Sequence, residues 1–187
     1  MNLPHIVAST SSASRPSVPE AGHAHTLLLA GSGVLLAGFH QAFDLSLGLP
    51  GHFGVILMAV LVMARAGSPL PTAAMVTTLG YLAGTAVFAG LGGHKLLNLP
   101  AYLLCAAALD AAFRLSPALV RSPVPAALVG AGAFALKPLL VALLAAGFAF
   151  EVGALRHGAV VPLFSHAAFG GVGAAIGALL WAGARGR

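Results

Sequence analysis

The feature that most limits the fold of this chain is a series of apolar segments, each separated from the next by a short break. Six such segments follow a polar start, at residues 26–43, 53–66, 72–89, 96–113, 126–150 and 161–184. The breaks, such as residues 48–50 and 68–71, carry Gly, Pro or charged residues, which are turn and helix-stop signals. Because a membrane-crossing helix needs roughly 20 mostly apolar residues, the pattern predicts an all-α membrane protein, a bundle of about six transmembrane helices.

The charge content supports this prediction. Only 7% of the residues are charged, whereas a soluble domain usually has about 25%, so too little polar surface exists to cover a water-exposed body. Residues 1–24 are rich in Ser, Ala and Pro and predict a flexible N-terminal tail, which leaves residues 25–187 as the transmembrane domain. The nine Lys and Arg residues are scattered singly, so no nucleic-acid partner is expected.

The basic residues predict the orientation in the membrane. With six spans, the side that holds both termini carries Arg15, Arg65, Arg114, Arg121, Arg185 and Arg187. The other side carries only Lys95 and Arg156. The positive-inside rule then places both termini in the cytoplasm of a bacterial cytoplasmic (inner) membrane. The second span is short, and a five-span interpretation, with termini on opposite sides, is the main competitor.

Polar residues collect at the side predicted to be external. Together with a lysine in the middle of the fifth span, they predict a pocket lined by His40, Asp44, His52, His94, Lys95, Asn98, Lys137, Glu151 and His166. Ionisable groups near a bilayer mark a ligand site or pathway by default. The alternative for any one of them is solvation at the membrane surface. Burying an unpaired lysine costs about 2.5–3.5 kcal/mol, so Lys137 is expected to face the bundle interior, where it could pair with Asp110. Asp110 could instead extend to the interface beside Arg114.

Sequence motifs for catalysis are missing. The chain has no P-loop, no HExxH and no CxxC, so neither an ATPase nor another enzyme is expected, and no cofactor is predicted. A haem held between His40 and His166, which fall at similar depth, stays open as an alternative.

Small residues recur at a spacing of four along the first and last spans. Gly33 and Ala37 form such a pair in the first span, and Gly170, Ala174 and Gly173, Gly177 form others in the last. Small residues let helices approach closely in lipid. They predict tight packing within one bundle or, alternatively, a docking face for a partner membrane subunit.

Three sequence phrases support a family resemblance. They are residues 49–54 (LPGHFG), residues 99–104 (LPAYLL) and residues 166–174 (HAAFGGVGA), the last preceded by Lys137-Pro138. With six Gly/Ala-rich spans and no ATPase motif, residues 26–184 resemble the substrate-binding S components of energy-coupling factor (ECF) transporters. The histidine that follows the initiator Met in cobalt and nickel members is replaced by Asn2. The substrate contacts of the vitamin-specific members are not recognisable, so the resemblance does not name a substrate.

This resemblance implies a mode of action. S components capture a vitamin or a metal ion from outside, near the first loop, and dock on a transmembrane coupling subunit that carries two cytoplasmic ATPases. Gly33 and Ala37 would be the docking residues. We therefore predict a membrane-embedded solute-binding or uptake subunit, in which Lys95 and Lys137 neutralise an anion or the histidines and acids hold a transition metal. The alternative prediction is a redox or assembly subunit of a membrane complex, which binds haem or quinone or acts as a scaffold.

Overall fold

The computed structural model describes residues 18–43, 49–90, 94–148 and 158–186, and these residues form an all-helical protein without strands. Its α-helices are α1 (Val18–Ala42), α2 (Gly54–Gly67), α3 (Ala73–Ala89), α4 (His94–Leu115), α5 (Pro123–Phe148) and α6 (Val160–Arg185). A short 3-10 helix, Pro117–Arg121, precedes α5. Each predicted apolar segment overlaps one of the six helices, so the all-α class is confirmed.

The helix ends follow local signals. α3 ends before Gly90, whose φ of 69° is left-handed and suits glycine. α5 begins with Pro123, because the first helical position does not need a backbone N–H donor. α1 begins at Val18, inside the segment predicted as a tail, and residues 1–17 of that segment lie outside the described residues.

The small residues reveal which way the helices run. α1 and α3 are parallel, since Gly33 packs on Thr77 and Gly38 on Phe88. α2 and α6 are parallel as well. Val55 at the start of α2 meets Gly173 of α6, and Gly67 at the end of α2 meets Trp181, further along α6. α5 and α6 are antiparallel, because residue 134 meets residue 170 while residue 130 meets residue 174.

Two contacts of α4 show its direction relative to α3. Tyr102 lies against Tyr81 of α3, whereas Asp110, further along α4, reaches back to Ala74 at the start of α3. α4 is therefore antiparallel to α3, and the chain direction alternates from each helix to the next. We call the end that holds the C-termini of α1, α3 and α5 the histidine end, and the opposite one the arginine end. The first residue of α1 and the last residue of α6 both lie at the arginine end.

α2 is the centre of the bundle. It contacts α3, α4, α5 and α6, and its side chains Leu57, Met58, Leu61 and Val62 are buried. The most extensive helix pairs are α5 with α6 and α1 with α3. α1 thus packs on the outer side of α3.

Glycines allow these close approaches. A Cβ on Gly33 would collide with the backbone of Thr77 and Tyr81, and one on Gly173 would collide with the backbone of α2 at Val55. The prediction that the small residues of α6 serve packing within the bundle is confirmed. Gly33 and Ala37 are buried against α3, and their role in docking a partner stays a prediction.

The outside of the bundle is apolar. Leu35, Val87, Leu128 and Phe164 are each at least 70% exposed, and patches of that extent are not kept in contact with water by soluble monomers. Three helices are long and apolar enough to cross a membrane, namely Gly22–Ala42, Pro123–Phe148 and Val160–Arg185. α2 and α3 are apolar but shorter. These properties indicate a membrane protein.

Candidate functional site

Polar and aromatic side chains from five helices and one turn meet toward the histidine end of the bundle. Each touches the next through a ring contact or a hydrogen bond. We call this set the Tyr–Lys cluster, and it consists of His40, Phe53, Tyr81, Tyr102, Phe134, Lys137 and His166.

The α1 part of the cluster is centred on His40. Its Nδ1 lies 2.7 Å from the hydroxyl of Tyr81 in α3, within hydrogen-bond distance. The imidazole stacks on the ring of Phe53, with centroids 3.7 Å apart and planes 12° from parallel. These contacts attach the end of α1 to α3 and to the turn before α2.

Lys137 lies at the middle of the cluster, and its ammonium faces the bundle interior as predicted. Nζ donates a hydrogen bond to the hydroxyl of Tyr102, at 2.8 Å, and lies 4.2 Å from the centroid of the same ring. The ring of Phe134 is 5.7 Å away. Within the described part of the chain, Lys137 has no ion pair with a carboxylate. Aromatic faces contribute about 2 kcal/mol to a desolvated cation, which offsets much of the burial cost.

His166 is only 5% exposed and is held in one tautomer. Its Nδ1 lies 2.7 Å from the carbonyl oxygen of Pro162, and since a carbonyl only accepts, Nδ1 carries the proton. In the neutral ring, Nε2 is therefore an acceptor. The imidazole lies directly against Gly51, in the turn before α2, and 5.0 Å from the ring of Phe134.

The contact between Gly51 and His166 predicts an effect of the variant Gly51→Ala. Gly51 has φ 86°, and an added Cβ would lie 2.7 Å from Nδ1 of His166. We expect a loss of about 2–3 kcal/mol in the free energy of unfolding, because backbone strain and overlap with the ring add. Reversible unfolding in detergent, followed by circular dichroism, measures it.

The matched control is Gly90→Ala. Gly90 also has a positive φ, of 69°, but no atom lies within 4 Å of its added Cβ, so this variant carries the backbone strain alone. Gly51→Ala is expected to be less stable than Gly90→Ala. Equal stabilities would mean that the turn does not rest on His166.

The other predicted site residues are placed as follows. His52 lies in the turn, where its Nδ1 is 2.9 Å from the carbonyl oxygen of Leu49, away from the cluster contacts. Asn98 is partly buried in α4, and the first turn of α4 contains His94 and Lys95, whose side chains are outside the described ones. Asp44 and Glu151 lie outside the described residues. The structure thus brings together His40, Lys137 and His166.

Sequence reasoning missed part of the cluster. Tyr81, Phe53 and Phe134 were not predicted as site residues. A signal was present for Tyr81, because the chain contains only two tyrosines and a phenol in the middle of an apolar segment needs a hydrogen-bond partner. The other tyrosine is Tyr102, and both belong to the cluster.

Asp110 does not pair with Lys137. Its two carboxylate oxygens accept hydrogen bonds from the backbone N–H groups of Ala74, at 3.1 Å, and Met75, at 2.9 Å. Nε of Arg65 lies 3.7 Å from the same carboxylate. Asp110 is buried at the arginine end, where it caps the N-terminus of α3, so neither the pair with Lys137 nor the extension toward Arg114 describes its position.

Metal ligands do not gather in the described ranges, where no three His, Cys, Asp or Glu residues lie close enough to hold an ion. Comparisons of the chain with protein-family models, with curated proteins and with solved structures find no match. The function is therefore inferred from the chemistry of the described side chains.

Proposed function

We propose that this chain is a multi-pass protein of the bacterial cytoplasmic membrane that binds a small organic anion at the Tyr–Lys cluster and takes part in its uptake. Its resemblance to the S components of ECF transporters supports this role. A transmembrane coupling subunit with two cytoplasmic ATPases would then be its partner. The observation that carries the proposal is the partly buried ammonium of Lys137, which faces the bundle interior and is held by Tyr102 without a carboxylate among the described residues.

The alternating helices support six spans. The arginine end holds Arg65, Arg114 and Arg185 together with both ends of the described chain. The positive-inside rule places this end in the cytoplasm, so the cluster faces the outside, from which a solute would enter.

The start of α2 supports a ligand site at this depth. Val55 lies opposite Gly173, which is thirteen residues, or about 20 Å, from the start of α6. The turn that contains Gly51 and Phe53 is therefore non-helical backbone inside the bundle. Such backbone is tolerated in a membrane only where protein surrounds it or where it lines a cavity. This turn, in which Phe53 stacks on His40 and Gly51 lies against His166, would cover a bound solute.

The cluster favours an anion over a metal ion. An ammonium repels a cation, and the described side chains offer two imidazoles and two phenols beside it. The hydroxyl of Tyr102, whose oxygen accepts from Lys137, can still donate its hydrogen to a carboxylate or phosphate oxygen, and the aromatic rings stack on a planar ligand. A vitamin-like molecule with an acidic group fits this chemistry.

Purification of the tagged protein from its native membranes in mild detergent tests the proposal. Mass spectrometry of the co-purified material should find a coupling membrane subunit, its ATPases and an acidic small molecule. A Soret absorption band would instead favour the haem-binding alternative, in which Nε2 of His166 would ligate iron. Recovery of the protein with neither partner nor solute would contradict the uptake role.

The variant Lys137→Met separates a binding role from a structural one. We expect the co-purified solute to fall to about a tenth or less of the wild-type amount, because a charged hydrogen bond contributes about 1.5–3 kcal/mol. The ligand-free variant should be at least as stable as wild type, since it removes from an apolar bundle a charge that has no ion pair among the described residues. Arg114→Met, which removes an exposed cation at the other end, should keep the solute. A strongly destabilised Lys137→Met would indicate a structural lysine.

A further inference from the structure

A cavity with two arginines in its lining lies at the arginine end, the opposite end of the bundle from the Tyr–Lys cluster. It has a volume of about 170 Å³ and is bordered by α2, α4, the 3-10 helix and α6. Its polar lining consists of Arg65, Ser68, Trp181 and Arg185. The volume equals that of about six water molecules in the liquid, which is enough for a single phosphate group.

Arg65 and Ser68 offer donors at this cavity. The guanidinium of Arg65 is 16% exposed, and its buried Nε has no hydrogen-bond partner, because 3.7 Å to Asp110 is too long for one. The Oγ of Ser68 accepts a hydrogen bond from the N–H of Leu70, so its own hydrogen can still be donated. A largely buried guanidinium suits planar, bidentate recognition of phosphate oxygens.

Arg185 supplies a second cation. Its guanidinium carbon lies 5.0 Å from the ring centre of Trp181, so the arginine is held along the indole face. Asp110, whose carboxylate lies 3.7 Å from Nε of Arg65, does not line this cavity. Its two oxygens already accept the N–H groups of Ala74 and Met75. The cavity therefore presents two guanidinium groups and no carboxylate among its described lining residues.

The surroundings favour a lipid over a soluble anion. Trp181 is partly exposed, and tryptophan is enriched where the headgroups begin. Immediately before it, Leu179 and Leu180 are more than half exposed on α6. Exposed leucines next to Trp181 are suited to contact acyl chains, and basic pockets between helices are known to take anionic headgroups.

We propose that this cavity binds the phosphate of an anionic phospholipid, with Arg65, Ser68 and Arg185 as its donors and Trp181 as the platform at the headgroup level. The lipid would join the end of α2 to the end of α6 at the membrane surface. This site is independent of the Tyr–Lys cluster and of the solute that we propose for it.

Lipid binding to the full chain in nonionic detergent tests this proposal. The additions are phosphatidylglycerol, phosphatidylcholine and inorganic phosphate, each followed by the thermal unfolding midpoint and by native mass spectrometry of bound lipid. We expect phosphatidylglycerol alone to raise the midpoint and to remain bound. A ligand that binds only the folded state stabilises it by mass action.

The variants Arg65→Gln and Arg185→Gln locate the site. Each should weaken the apparent affinity for phosphatidylglycerol about tenfold or more, while Arg114→Gln, an exposed arginine outside this cavity, should keep wild-type affinity. Arg185 is near the end of α6, so its variant stays informative even if Arg65→Gln, which loses the contact with Asp110, misfolds. Unchanged affinity in Arg185→Gln, or an equal shift from phosphatidylcholine or from inorganic phosphate, would overturn the proposal.

Discussion

Replacing Gly33 with alanine is expected to force α1 away from α3 and to lower the free energy of unfolding by about 3 kcal/mol or more. The added Cβ would overlap the carbonyl oxygen of Thr77 and lie 2.6 Å from the backbone nitrogen of Tyr81. Both are backbone atoms inside a helix and cannot rotate aside, so the helices have to separate. The shift would also draw Tyr81 away from His40 and disturb the Tyr–Lys cluster. Unfolding in mixed micelles, followed by circular dichroism, measures the loss.

Gly31→Ala is the matched control for this prediction. It lies on the same helix, two residues away, and its added Cβ has no atom within 4 Å. Because alanine is favoured over glycine in a helix by about 1 kcal/mol, this variant should be as stable as wild type or more stable. A Gly33→Ala protein as stable as Gly31→Ala, but without a co-purifying membrane subunit, would show instead that Gly33 faces a partner.

Asp110→Ala is expected to cost about 3–5 kcal/mol, the range seen when one member of a buried charge pair is removed. The N–H groups of Ala74 and Met75 would lose their acceptor at the start of α3, and Arg65 would lose its nearest carboxylate. Asp110→Asn should be intermediate, because an amide oxygen can still accept one of the two N–H groups. Denaturant unfolding in detergent gives the three stabilities.

A double variant tests how much of the destabilisation of Asp110→Ala comes from the guanidinium of Arg65 left without its carboxylate. Adding Arg65→Met to Asp110→Ala should restore part of the stability, since an uncompensated guanidinium then no longer remains in the bundle. Arg114→Ala, at an exposed position one turn further along α4, should change little. Rescue of Asp110→Ala by Lys137→Met, with none by Arg65→Met, would indicate that Asp110 pairs with the lysine and would contradict the structure.

The pairing of Asp110 shows where sequence reasoning stops. Two charges in neighbouring apolar segments suggest a pair, and Lys137 and Asp110 are the obvious candidates. Lys137 instead contacts a phenol, and Asp110 accepts two backbone N–H groups and lies near Arg65. The phenol and the N–H groups are not visible as charges in the sequence, and a helix N-terminus attracts a carboxylate as effectively as a cation does.

Some residues of the candidate site could be predicted from the sequence, and others could not. His40, Lys137 and His166 were predictable, because ionisable residues in or beside apolar segments are costly and stand out. Phe53 and Phe134 were not, since an aromatic residue in an apolar segment looks the same whether it faces a ligand, the core or lipid. Their roles depend on the rotation of each helix about its axis.

The sequence by itself determined the all-α class, the positions of the six helices and the apolar exterior. These properties are local, because a helix satisfies its own backbone hydrogen bonds and an apolar segment in lipid needs nothing else. Only the tertiary structure decided that the small residues of α1 pack on α3, that Asp110 caps that helix, and that His40, Lys137 and His166 meet through two tyrosines. These are contacts between helices far apart in the chain, and they are set by the packing of whole helix faces.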